Sequence, residues 1–98
     1  MDTFDKMLAE VKKENPKVPT FALMLRAARH QRNWSLREAE KKSGDNISRQ
    51  TIQRAEHGTA EPETLLRLAK LYKMTKEQTA VLVAEFSKHQ LDEAKKAA

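Results

Sequence analysis

The chain contains no cysteine, which removes disulfide scaffolds, thiolate metal sites and thiol redox chemistry and fits a reducing cytoplasm. Glycine occurs twice and proline three times in 98 residues, too seldom for a turn-rich β architecture. Aromatic residues make up 5% and hydrophobic residues 39% of the chain, enough for one small core but not for a large enclosed active site. No apolar run approaches the roughly 18 residues of a membrane span, and the opening MDTFDKMLAE is too acidic and polar for a secretory signal. The expectation is one soluble, cytoplasmic domain without a membrane contact. Apolar residues recur at helical spacing with no β-branched alternation, so the fold class expected is all-α.

Positive charge is present, and it is unevenly placed. The formal net charge is +5. Residues 1–19 balance four basic against four acidic side chains, and residues 59–98 nearly balance seven against six. Residues 20–58 carry eight basic side chains against four acidic ones, and six of the seven arginines fall there. Arginine is the side chain suited to bidentate contact with phosphate and guanine. A basic excess confined to one segment marks that segment as a candidate for nucleic acid.

Punctuation along the chain predicts six helices. Phe4, Met7, Leu8 and Val11 fall at i, i+3, i+4 and i+7, which predicts an amphipathic helix over 2–14, ended by Asn15-Pro16 and Pro19. A Thr20 cap precedes Phe21, Leu23, Met24, Leu25, Ala27 and Ala28, a second helix reaching to about residue 32, with Asn33 in the left-handed conformation and Trp34 as a core anchor. Ser35 with Glu38 three residues on forms a capping-box pattern and opens a third helix. Gly44 and Asp45-Asn46 are turn formers, and Ser48 offers a cap for a fourth helix closed by Gly58. Pro62 fits the first turn of a fifth helix carrying Leu65, Leu66, Leu68, Ala69 and Tyr72. Thr75 with Gln78 opens a sixth, bearing Leu82, Val83, Phe86 and Leu91, whose end DEAKKAA is expected to fray.

Two short helices joined by a turn within Ser35 to Gly58 make a helix-turn-helix, a motif whose second helix enters the major groove of DNA. Arg49 and Gln50, then Gln53 and Arg54, share one face of that helix. Arginine grips the O6 and N7 of guanine and glutamine the N6 and N7 of adenine, each such pair discriminating by about 1–3 kcal/mol.

Residues 20–74 resemble the Cro and phage-repressor type of helix-turn-helix domain, the XRE family. The resemblance rests on Leu25 and Arg29, Ser35 with Glu38, Gly44, Ser48, Ile52, Glu56 and Gly58, then Thr64-Leu65 and Leu68-Ala69. It implies a lambda-repressor-like domain of about five helices, with an extra N-terminal amphipathic helix and a long C-terminal helix. It further implies that Arg49, Gln50, Gln53 and Arg54 meet base edges, that Ser48 and Thr51 approach phosphates, that Ile52 points inward, and that Arg29 pairs with Glu56. Three departures stand out. Leu36 replaces a glutamine that meets phosphate in many members, leaving Arg37 to supply that contact. Glu40 occupies a position usually held by a small residue, so either it lies at an edge and reaches outward or the two helices cross differently. The turn from Gly44 to Ser48 is longer than the common one, and the loop around Pro62 shorter.

Blander readings stand beside these. Arg49, Gln50 and Arg54 also fit a solvated helix face, as do Arg37, Lys41 and Lys42. His30, His57 and His89 lack zinc-ligand spacing apart from His89 with Glu93, a common chance pairing, so neither metal nor cofactor is expected. Glu38 with Glu40 and Asp92 with Glu93 read as capping or solvated carboxylates rather than catalytic pairs, and no enzyme activity is expected. The organisation expected is an N-terminal helix and linker at 1–19, a DNA-binding domain at 20–74 and a C-terminal helix at 75–98 that is a candidate dimerisation element. The function expected is a sequence-specific regulator of transcription, a repressor, binding double-stranded DNA as a homodimer. Two rivals remain open: a DNA-binding antitoxin that meets its toxin through the terminal helices, and a helical protein-interaction module without DNA binding.

Overall fold

The computed structural model describes residues 3–97, and every regular element among them is an α-helix. In chain order these are α1 Thr3–Glu14, α2 Thr20–Gln31, α3 Leu36–Lys42, α4 Arg49–Ala55, α5 Pro62–Leu71 and α6 Lys76–Ala97. The expected start of the first helix at residue 2, and the last residue of the expected frayed tail, lie outside the described residues.

One hydrophobic core serves all six helices, and α2 runs through it. Phe21, Ala22, Leu23, Met24, Leu25, Ala27 and Ala28 are all buried there. A helix apolar on nearly all sides has to be covered on nearly all sides. α1 lays Phe4 and Val11 against this core, and α6 adds Leu82 and Phe86. The Phe86 ring meets Phe21 edge-on at 5.0 Å between centroids, and the His89 ring lies 5.4 Å from that of Phe21. α3 contributes Ala39, α4 Ile52 and Ala55, and α5 Leu65, Leu68 and Ala69.

Four helices end in the same way. After α2, α3, α4 and α5 the chain passes through a positive φ at Asn33 (58°), Gly44 (71°), Gly58 (112°) and Lys73 (52°). In each case the next amide returns five residues: Trp34 to Arg29, Asp45 to Glu40, Thr59 to Arg54 and Met74 to Ala69. This closure satisfies carbonyls that a helix terminus would otherwise leave unbonded. Gly58 also sits tightly, since a Cβ there would meet Pro19 Cγ at 3.1 Å.

Several local expectations are corrected. The N-cap of α2 is Pro19 rather than Thr20, and it makes no side-chain capping bond. Trp34 is half-buried at the rim instead of anchoring the core, with Arg32 and Lys42 over its ring. Leu66, Val83 and Leu91, whose burial the sequence left open, are exposed, the core being filled by Leu65, Leu68, Leu82 and Phe86. α6 stays helical through Ala97, where alanine and lysine favour the helix without tertiary support.

Candidate nucleic-acid interface

Ser35 and Ser48 start the two helices of the motif. The Ser35 hydroxyl accepts from the Glu38 amide at 3.1 Å, and the Glu38 carboxylate accepts from the Ser35 amide at 3.0 Å. That backbone bond, with the serine hydroxyl's, holds the Glu38 carboxyl below its ordinary pKa. Ser48 accepts from the Thr51 amide at 3.1 Å, and the two hydroxyls lie 2.9 Å apart. The hydroxyls of Ser48 and Thr51 are thus engaged in capping, half-buried at the foot of α4.

The long turn is built around Ser43. Its hydroxyl donates to the Glu40 carbonyl at 2.6 Å and accepts from the Ile47 amide at 3.1 Å, while Asn46 Nδ2 donates to the Ser43 carbonyl at 3.1 Å. Gly44 and Asp45 take consecutive left-handed conformations, which let the chain double back and drop Ile47 into the core. Glu40 reaches across this turn and accepts from the Arg49 amide at 3.1 Å. A carboxylate there satisfies one free amide at the start of α4 and suits the positive end of the helix.

On α4, Ile52 and Ala55 face inward while Arg49, Gln50, Gln53 and Arg54 face solvent. None of these four side chains forms a hydrogen bond or ion pair among the described residues. Arg37, Lys41, Arg49 and Gln50 line one shallow hollow together with Glu40 and Asp45. Thr51 and Arg54 line another with Thr59, Ala60, Glu61 and Thr64. The outer face of α4 is thus flanked on one side by the cations Arg37 and Lys41 with the carboxylates Glu40 and Asp45, and on the other by the hydroxyls of Thr59 and Thr64 with Glu61.

Behind α4 lies a charged anchor. Arg29 Nε and Nη2 donate to the Glu56 carboxylate at 2.7 and 2.8 Å, and Arg29 Nη1 donates to the Trp34 carbonyl at 2.8 Å. Arg26 adds a bond from Nη2 to the Glu56 carbonyl at 3.1 Å, with Nε 3.4 Å from the carboxylate. Burial opposes the charge on Arg29, but the bonds to Glu56 outweigh it and its pKa is raised. Burial and the neighbouring Arg29 cation lower the pKa of His30. The ring of Tyr72 packs 6.1 Å from that of Trp34. Its buried hydroxyl has no hydrogen-bond partner among the described residues, and burial pushes its pKa up.

Sequence reasoning assigned no role at the interface to Arg26, Thr59 or Thr64, and it left the aim of Glu40 open. The spacing of Arg26 and Arg29 on one helix face was a usable signal for the first. The reach of Glu40 to Arg49 left no local trace.

A helix-turn-helix family profile matches residues 25–78. The chain belongs to the XRE-type helix-turn-helix family. This is a family of DNA-binding regulators, and the match takes in α3, the turn, α4 and α5 entire. No curated protein and no solved structure matched the chain. No helix of this XRE-type chain is long and apolar enough to cross a membrane among the described residues. Those residues also contain no group of three or more His, Cys, Asp or Glu that could hold a metal ion.

Proposed function

We propose that the protein is a sequence-specific regulator of transcription that reads the major groove of double-stranded DNA with helix 48–57 and represses by occupying its operator. The supporting observation is the row Arg49, Gln50, Gln53 and Arg54: exposed, without side-chain hydrogen-bond or ion-pair partners among the described residues, and carried on a helix pinned by Ile52, Ala55 and Glu56. Arg49, Gln50, Gln53 and Arg54 contact base edges, while Arg37, Ser48 and Thr51 contact phosphates. For Ser48 and Thr51, whose hydroxyls cap the helix, the contact uses the remaining lone pair or proton of each hydroxyl. The protein acts as a homodimer in the cytoplasm, because two half-sites a helical turn apart call for two-fold symmetry.

A binding selection on random duplex DNA at several salt concentrations tests this reading. A palindromic site should be enriched, with affinity falling steeply in salt as phosphate contacts release counterions. Arg49→Ala should relax preference at one base position, at a cost of about 1–3 kcal/mol, whereas Arg37→Ala should weaken binding to all sequences and flatten the salt slope. Equal losses on cognate and random DNA for both variants would overturn the assignment of roles.

A further inference from the structure

The face of α6 turned away from the core is apolar and unoccupied. At 100° per residue, Ala80, Val83, Ala84, Ser87, Leu91 and Ala94 fall in one band opposite the buried Leu82 and Phe86. All six are exposed, Leu91 by 63%. No charged residue interrupts the band between Ala80 and Ala94. Its arrangement is symmetric about Ser87: alanines stand seven residues to either side, and Val83 and Leu91 stand four to either side.

We infer that this face pairs with the same face of a second copy, antiparallel, about a two-fold axis at Ser87. The inference rests on the two-fold dimer that the groove reading calls for, and it names the surface that forms it. In that register Leu91 enters the hole bounded by the partner's Ala80, Val83, Ala84 and Ser87, a knob over four residues at i, i+3, i+4 and i+7. Three of those four are small, which leaves room for the leucine and lets the helix axes approach to about 8 Å. The hole opens at its lower end onto a hollow lined by Met74, Lys76, Thr79, Ala80 and Val83.

The contact is reciprocal, as a two-fold interface requires: each copy gives one knob and one hole. Glu77 comes alongside the partner's Lys95 on one rim, twice by symmetry. Lys88 meets the partner's Lys88, the one repulsive pair, on the same rim. A single helix pair about 28 Å long covers less than the roughly 800 Å² per partner of a standard stable interface. The pairing is therefore weak in free solution and strengthened when two copies occupy adjacent half-sites.

Because the native chain has no cysteine, single cysteines report the register directly. Ser87→Cys should form an intermolecular disulfide under mild oxidation, at least about 10-fold faster than Lys13→Cys on the exposed side of α1, since two-fold neighbours come within the 4.4–6.8 Å Cα spacing of a disulfide. Ala80→Cys and Ala94→Cys should couple to each other in a mixture but not each to itself. Adding Leu91→Asp to Ser87→Cys should slow the coupling about 10-fold or more while leaving binding to an isolated half-site unchanged. Self-coupling at all three positions would mean a parallel pair and overturn the inference, as would a Ser87→Cys rate no greater than that of Lys13→Cys. The selected DNA sequence is read separately: a chain that selects a site but does not couple at Ser87 refutes this pairing and leaves the groove reading standing.

Discussion

Removing the Glu56 side chain should damage the fold more than any other single surface-to-core change near α4. Glu56 is the only buried charged residue among those described, 2% exposed, and it accepts two bonds from Arg29 at 2.7 and 2.8 Å. Hydrogen bonds to charged partners contribute about 1.5–3 kcal/mol each. Glu56→Ala loses both and strands a guanidinium whose side chain is 11% exposed. Breaking such a pair from one side costs about 3–5 kcal/mol, a large part of the roughly 5–15 kcal/mol available to a domain. At about 4–8 °C per kcal/mol for a domain of this size, the midpoint should drop by roughly 12–40 °C. Arg29→Met with Glu56→Leu should recover most of that loss, since the desolvation of both charges vanishes with their attraction. Thermal melts of the wild type, Arg29→Met, Glu56→Leu and the double variant give the coupling directly, with Glu56→Ala read beside them. Additive losses, or a Glu56→Ala cost below about 1 kcal/mol, would show that the pair does not anchor α4.

Three further outcomes are expected. Glu40→Gln keeps an acceptor for the Arg49 amide but removes a negative charge from the hollow that Arg37, Lys41, Arg49 and Gln50 line, so under the proposed groove reading it should tighten DNA binding to all sequences and steepen the salt slope, checked by fluorescence titration; weaker binding would contradict it. Lys73→Gly should stabilise by about 0.5–1 kcal/mol by relieving a left-handed lysine, whereas Gly58→Ala should cost about 1–3 kcal/mol through its φ and the Pro19 contact, both read by urea denaturation. Tyr72→Phe removes a hydroxyl with no partner among the described residues and should leave stability unchanged or raise it by up to about 1 kcal/mol; a loss of about 1 kcal/mol or more in the same assay would reveal a bond the hydroxyl makes.

Apart from α2, where Pro19 and not Thr20 is the cap, the starts of α3 to α6 were legible because their signals are local. Ser35 with Glu38, Ser48, Pro62, and Thr75 with Gln78 each act within three residues of themselves, and the structure uses all of them. Asn33, Gly44 and Gly58 likewise announce left-handed closures by residue type, whereas Lys73 does not, since lysine takes that conformation only under the demands of the following turn. The inward or outward aim of Leu66 and Val83 was not legible. Both sit at the edge of an apolar stripe, and only the volume of a finished core decides which edge is covered. The Arg29 to Glu56 bonds span 27 positions, beyond the reach of periodicity; family likeness alone suggested that pair. Likewise, Glu40 could not be resolved from sequence, because its partner is a backbone amide across a turn whose path had to be known first.

The separation of duties on α4 has an evolutionary consequence. Its inward residues bear on folding, and its four outward side chains form no hydrogen bond or ion pair among the described residues. Exchanging Arg49, Gln50, Gln53 or Arg54 for other polar residues therefore alters what the helix presents at little cost to the fold, typically within about 0.5 kcal/mol for such surface positions. If α4 reads base edges as proposed, a lineage carrying this scaffold is free to drift from one recognised sequence to another through fully folded intermediates. Such changes need no compensating substitution in the core.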